Sequence, residues 1–323
     1  MGLKAIIRRN YEEEVVTIFN AFQSFIEDKQ ARNLSKTSLI DYEDSFRYFM
    51  NYFNFDEYTP LYQVNEQMFK KWTLDMLQRD ISPSSINRYL RDCKVFVNWC
   101  INNALLFLPS FKIDMVKGQE GVVKAFPDED IALIIEKPQD KNDFTEWRTW
   151  TVINWILATG NRCSTVCDVR IGDLDFKNNE ITLRHTKNKK AQIIPLSSKL
   201  ATIIKEYIRT WRYGCGAEDF LFPNMANEQL TADALYQAFA KYCKKRGSSH
   251  TNIHGLRHSF ALNWIRNGGN QFKLQRILGH SSLEMTKRYV ALAAVDLKDD
   301  YELYSTLDNL GKAKKPKKLI SKI

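Results

Sequence analysis

Asn252-Ile-His254-Gly-Leu-Arg257-His258, then Gly279-His280-Ser281-Ser282, then Lys287-Arg288-Tyr289: the stretch from Asn252 to Tyr289 decides how this chain is read. It places an arginine, several imidazoles and a phenol on what reads as two helices joined by glycine breaks. His254 and Arg257 are separated by three positions, so a helix presents both on one face. Such a set suits a phosphate diester. A metal is the obvious rival, because His254 and His258 have the i, i+4 spacing of the zinc-protease helix. However, Gly255 stands where that motif requires glutamate, and no third ligand set accompanies the pair. Taken singly, each histidine reads as a hydrogen-bonded core residue and the tyrosine as packing. Their combination is what points to chemistry.

Working outward, the chain has 323 residues, room for two domains with a core each. It is 44% hydrophobic and 26% charged, ordinary values for a folded soluble protein. Lys+Arg minus Asp+Glu is 47 − 38 = +9, a balance that favours a polyanionic partner, either nucleic acid or an anionic membrane surface. The first ten residues have too short an apolar core for a signal peptide, and no run of 18 apolar residues occurs, so a cytoplasmic protein without a membrane partner is expected. The six cysteines form no CxxC pair. They read as small buried apolar residues in a reducing compartment.

Before the deciding stretch, apolar residues recur at helical spacing: Val15, Ile18, Phe19, Phe22, Phe25, Ile26; then Leu39, Tyr42, Phe46, Phe49, Met50, Phe53; then Phe69, Trp72, Met76. Ser82-Pro83 signals a fourth helix with Ile86, Tyr89, Cys93, Phe96, Val97 and Cys100 inward. Residues 11–115 therefore read as a compact helical unit. Lys36 and Thr37 at a helix start, and Asn87, Arg88, Arg91 and Lys94 opposite an apolar stripe, are candidate contacts to nucleic-acid phosphates; a solvated polar face is the bland alternative. Residues 116–125, with two glycines, read as a linker.

After the linker, a short helix opens at Pro127, and a longer one carrying Trp147, Trp150, Ile153 and Leu157 stops at Gly160, just before Arg162. Short alternating runs at Leu174/Phe176, Ile181/Leu183 and Ile193/Leu196, split by polar turns, predict a small antiparallel sheet with Lys187 at or just before a hairpin tip. A helix from Lys199 and another from Thr231 lead into the deciding stretch, where Ser281-x-x-Glu284 reads as a capping box for the helix carrying Tyr289. Leu297, Tyr301 and Tyr304 form a last small stripe, and six lysines follow from Lys312 onward, read as a disordered tail.

Breaking a phosphodiester requires a nucleophile, cations for the non-bridging oxygens and an acid for the departing oxygen. Tyr289 can supply the first; Arg162, Lys187, Arg257 and Arg288 are candidates for the charge, arginine offering a fork that lysine lacks.

In this order the residues resemble the tyrosine recombinase (phage integrase) family. Ala158-Thr-Gly160-Asn-Arg162-Cys-Ser164 is similar to its arginine box, and Thr186-Lys187-Asn188-Lys189 followed by Ile193-Ile-Pro195-Leu196 to its hairpin lysine. His254-Gly-Leu-Arg257-His258-Ser-Phe-Ala261 matches its His-x-x-Arg box, and Leu278-Gly279-His280-Ser-Ser282 with Tyr289 its last box, with a step of 289 − 280 = 9. Thr165 stands where many members carry glutamate. The resemblance implies a mainly α fold with a small antiparallel sheet: a SAM-like helical core-binding domain at 11–115, a mixed α/β catalytic domain at 126–300 and a docking, lysine-rich tail at 301–323.

By that resemblance Tyr289 attacks phosphorus to form a 3′-phosphotyrosyl bond, and Arg162 and Arg257 hold the non-bridging oxygens. Lys187 protonates the leaving 5′-oxygen, His254 assists proton transfer and His280 hydrogen-bonds the phosphate. No metal, ATP or other cofactor is implied. Implied partners are double-stranded DNA, a homotetramer in the synaptic complex, and an excisionase or other directionality factor. Only about ten residues precede the first helix, so the arm-binding domain of larger integrases is expected to be absent, by nature or by removal. The activity expected is integration and excision of a mobile element. Chromosome-dimer resolution, a type IB topoisomerase and an inactive DNA-binding regulator are the alternatives.

Overall fold

The structure, a computed structural model, describes residues 16–103, 111–118, 124–184, 191–280, 282–293 and 305. The chain divides into two compact units, Met1–Gly121 and Val122–Ile323.

Among the described residues of the first unit there are four α-helices: α1 (Ile18–Ala31), α2 (Lys36–Phe53), α3 (Glu66–Gln78) and α4 (Pro83–Asn102). Each starts on a side-chain cap, from Thr17, Ser35, Asn65 and Ser82 respectively. Such a cap satisfies an amide that the first helical turn leaves without an intrahelical acceptor. Pro83 occupies the first turn of α4, where its missing N–H costs nothing. The core is aromatic: Phe22 stacks on Phe46 at 3.7 Å, and Phe49 packs on Phe69 at 5.2 Å and edge-on to Trp72. The apolar stripes thus point inward, with one exception. Phe19 faces out at 37% exposure, because Ile18, Ala21, Phe22, Phe25 and Ile26 already fill the buried side of α1.

Asn87 and Lys94 depart from the open polar face expected of them. Asn87 exchanges two hydrogen bonds with the backbone of Val116, at 2.8 and 2.9 Å, and Lys94 Nζ donates to Ile113 O at 3.2 Å. The segment 111–118 lies across that side of α4, with Ile113 buried. Val116, read from sequence as the first linker residue, is therefore fastened to the helical unit. Of the calls made from sequence, Val15, Leu297, Tyr301, Tyr304 and the lysine tail lie outside the described residues.

In the second unit α5 (Asp128–Ile135), α6 (Phe144–Thr159) and the short α7 (Cys163–Cys167) precede a three-stranded antiparallel sheet of β1 (Leu174–Asp175), β2 (Glu180–Leu183) and β3 (Gln192–Pro195). β2 pairs with both neighbours, Leu174 opposite Ile181 and Ile181 opposite Ile194. Ile181, Leu183, Ile194 and Leu196 are buried while Ile193 is 63% exposed. The buried face of the third strand is therefore set by Ile194 and Leu196, two apart, and not by Ile193. Then come α8 (Ser198–Trp211), α9 (Ala232–Lys245), α10 (His254–Arg266), α11 (Gln271–Leu278) and α12 (Glu284–Leu292). Five of the cysteines are buried and all six are free thiols.

The capping box expected at Ser281-x-x-Glu284 is not how α12 begins. Its N-cap position is Leu283, in helical backbone conformation and without a side-chain cap bond, which leaves no extended residue there to reach back over the first turn. Ser281 itself lies outside the described residues.

Asn87→Ala should release the 111–118 segment. The expected outcome is a loss of roughly 1–3 kcal/mol, since two backbone groups lose their partner. Denaturant unfolding reads the loss, and faster hydrogen exchange at the Val116 amide locates it.

Candidate active site

Tyr289 sits near the middle of α12 and is 4% exposed, packed with Ala261, Ile265, Leu274 and Leu278. Its ring therefore belongs to a small apolar core shared by α10, α11 and α12, with the imidazoles of His258 and His280 beside it. That hydroxyl lies 2.9 Å from His258 Nδ1. The His280 ring lies nearly parallel to the tyrosine ring, 6.4 Å away. Burial holds the phenol above its ordinary pKa, while Arg257, Arg288 and Arg162 pull it down.

Arg257 is buried as well and is held by two backbone carbonyls. Its Nη1 donates to Gly160 O at 2.5 Å and its Nη2 to Leu278 O at 2.9 Å. Burial first, and then Arg162, draw its pKa down to about 10. A guanidinium has five N–H donors, so further donors remain beyond those two bonds. Arg162 follows the end of α6 and caps α7 in extended backbone; desolvation lowers its pKa and Tyr289 opposes that fall. The turn between them depends on Gly160, whose φ of +65° is a left-handed conformation. A Cβ there would lie 2.4 Å from Phe260 and 2.6 Å from Leu278. Gly255 allows another close approach, since a Cβ would meet the Phe126 ring at 2.6 Å.

The three imidazoles are sorted by their partners. His254, on the accessible side, lies with Nε2 2.9 Å from the Tyr236 hydroxyl, and His280 Nδ1 lies 2.9 Å from Thr286 Oγ1. All three are lowered in pKa, desolvation first, with Arg257 contributing to each; His280 falls to about 4. At neutral pH they are uncharged, so the positive field at the tyrosine comes from arginine.

The structure thus brings Arg162, His254, Arg257, His280 and Tyr289 into one cluster and adds three residues not singled out for it from sequence: His258, Tyr236 and Thr286. His258 belongs to the deciding stretch and its set of imidazoles, but its spacing from His254 suggests only a metal pair and gives it no separate role at the tyrosine. Thr286 lies one helical turn before Tyr289, a spacing that could have found it. Tyr236 comes from α9, and no local pattern announces that α9 meets α10. Lys187, like Lys189 and Lys190, lies outside the described residues, but β3 starts at Gln192, whose Nε2 donates to Arg276 O at 2.6 Å and so ties the hairpin base to α11. Lys36, Thr37, Asn87, Arg88, Arg91 and Lys94 belong to the helical unit. Lys36, Thr37 and Arg91 are exposed. Arg88 lies 3.3 Å from Asp41 and over the Tyr89 ring.

A buried phenol under arginine and imidazole, on a helical scaffold with a three-stranded sheet, is the layout of a tyrosine recombinase. The model of the phage integrase family matches residues 124–295, and the chain belongs to that family. It is 26% identical over 247 residues to tyrosine recombinase XerC of Chlamydia caviae, covering 75% of this chain and 78% of that one. To XerA of Pyrococcus furiosus it is 32% identical over 189 residues, 58% of this chain and 64% of the other. Among solved structures, the Tn1549 transposon integrase in complex with transposon right end DNA superposes with a TM-score of 0.69 at 23% identity, covering 85% of this chain and 94% of that one. XerH recombinase bound to its difH substrate in a post-cleavage complex gives 0.68 at 19% identity, over 87% and 84%.

Two measurements test this geometry. Below the ordinary histidine value of 6.5 the unfolded chain takes up protons that a folded His280, with its pKa near about 4, refuses. Stability should therefore fall as pH drops from 6.5 toward about 4. His280→Gln should make that fall shallower in denaturant titrations across the window. Gly160→Ala should cost about 1–3 kcal/mol through strained backbone and displaced Phe260 and Leu278, read as a lower melting temperature.

Proposed function

We propose that this chain is a site-specific DNA recombinase that integrates and excises a mobile element through a 3′-phosphotyrosyl intermediate. The observation that carries the reading is the Tyr289 hydroxyl, held in a site whose charge comes from Arg257, Arg288 and Arg162. The phenolic oxygen attacks phosphorus and the 5′-oxygen leaves. Arg162 and Arg257 stabilise the non-bridging oxygens, where charge grows in the transition state. Lys187, on the connection between the antiparallel strands β2 and β3, protonates the 5′-oxygen; the Gln192 tie to α11 supports its delivery to the site. His280 hydrogen-bonds the phosphate, and His254, steadied by Tyr236, assists proton transfer. The ester keeps the bond energy, so a 5′-hydroxyl can reverse the step without ATP.

The partner is double-stranded DNA, in keeping with the +9 balance and with the DNA complexes of the structural neighbours. Lys36, Thr37 and Arg91 reach phosphates from the helical unit, and Arg88 serves there once it exchanges Asp41 for a phosphate; Asn87 and Lys94 act indirectly by seating the 111–118 segment. Binding weakens steeply with salt. Recombination takes place in a homotetramer, with an excisionase or similar factor setting direction, in the cytoplasm. No helix of the described residues is long and apolar enough to cross a membrane. Chromosome-dimer resolution is the second reading, favoured by the XerC and XerD names of curated relatives.

A nicked duplex carrying the cognate site should trap a covalent adduct that Tyr289→Phe abolishes; a bound site without adduct would sink the enzymatic reading. Lys187→Ala should slow cleavage far less on a substrate with a 5′-bridging sulfur, which departs without an acid. Attachment repeats recombined by the chain support the mobile-element role, exchange confined to a chromosomal dimer site supports resolution, and site-independent plasmid relaxation would mark a topoisomerase.

A further inference from the structure

We propose that His258 is the proton acceptor for Tyr289: as the phenolic oxygen bonds to phosphorus, its proton moves to His258 Nδ1, and the imidazolium returns it when the phosphotyrosyl bond is broken. The inference rests on the reading of Tyr289 as nucleophile. Protons balance across the step: one passes from Tyr289 to His258, and one passes from Lys187 to the 5′-oxygen as its bond to phosphorus breaks with the electron pair.

The partners of the three imidazoles carry the assignment. His258 Nδ1 is 2.9 Å from the tyrosine hydroxyl, within reach of direct proton transfer. His254 Nε2 is engaged with Tyr236 and His280 Nδ1 with Thr286. The backbone beneath His258 is anchored, since Ser259 Oγ donates to Gly255 O and accepts from Phe126 N. The charged and titratable groups facing the ring are His254 and Arg257 on α10, Arg288 and Tyr289 on α12, and His280 from the turn between α11 and α12. Desolvation and these cations keep the imidazole unprotonated at neutral pH, free to accept. An entering phosphate diester is an anion and offsets the arginines, which raises the basicity of His258 when it is required. The same arrangement explains how a phenol held above its ordinary pKa by burial is unmasked without being ionised beforehand.

The test is single-turnover adduct formation by the full chain on a nicked duplex, comparing the unaltered protein with His258→Ala and His258→Gln. Melting temperature and DNA binding identify any variant that fails to fold. The expected defect is about 10²-fold or more near neutral pH. It should shrink as pH rises toward ionisation of the phenol, recover in part when 3-fluorotyrosine, a more acidic phenol, replaces Tyr289, and persist on the 5′-bridging sulfur substrate that rescues Lys187→Ala. An adduct formed at the unaltered rate by folded His258 variants overturns this assignment alone. So does a defect that neither pH nor fluorotyrosine moves, which would make His258 a packing residue. Absence of any adduct from the unaltered chain on a bound site overturns the nucleophile and, with it, the acceptor.

Discussion

One buried cation organises the second unit. The Arg257 guanidinium donates to the carbonyl of Gly160, where α6 ends, and to that of Leu278, where α11 ends. Both carbonyls belong to helix C-termini, which carry partial negative charge and lack intrahelical donors. The arginine thus satisfies two helix ends from a third helix, and Arg162 and His280, which follow those ends, both act on Tyr289. Burying that charge is costly, and what offsets it is direct bonding to carbonyl oxygens. Removing either carbonyl from its place would strand a cation in the core.

Around that tie the site separates charge from hydrogen bonding. Arginines supply the field, while the imidazoles, desolvated and neutral, act as directional donors and acceptors, His254 toward Tyr236, His258 toward Tyr289 and His280 toward Thr286. Three protonated imidazoles packed against two guanidiniums would repel one another strongly. Their neutrality is what lets so many basic groups share so small a volume.

Much of this was legible in sequence. Helices with one apolar face, such as α2 and α8, follow from residue spacing, and the sheet from short alternating runs between polar turns. The order Arg162, Lys187, His254, Arg257, His280, Tyr289 resembled a known family strongly enough to suggest a joint site. What stayed hidden depends on contacts between distant elements. No pattern within α4 says that Asn87 and Lys94 would turn to a returning segment, or that α9 would bring Tyr236 to His254. Ile193 and Ile194 are equally apolar, and only the pairing of β3 with β2 decides which one is buried. His258 illustrates the same limit: its spacing was plain, but its partner lies on another helix.

The depressed acidity limit of Arg257 has a consequence for which side chain the position tolerates. Its surroundings draw arginine down to about 10, still well above physiological pH. Lysine begins lower, at roughly 10.4, so the same desolvation leaves its ammonium less margin. A lysine at 257 would also bring a single ammonium where the planar guanidinium now reaches two carbonyls at the ends of two different helices. Arginine at this position secures permanence of charge as well as shape.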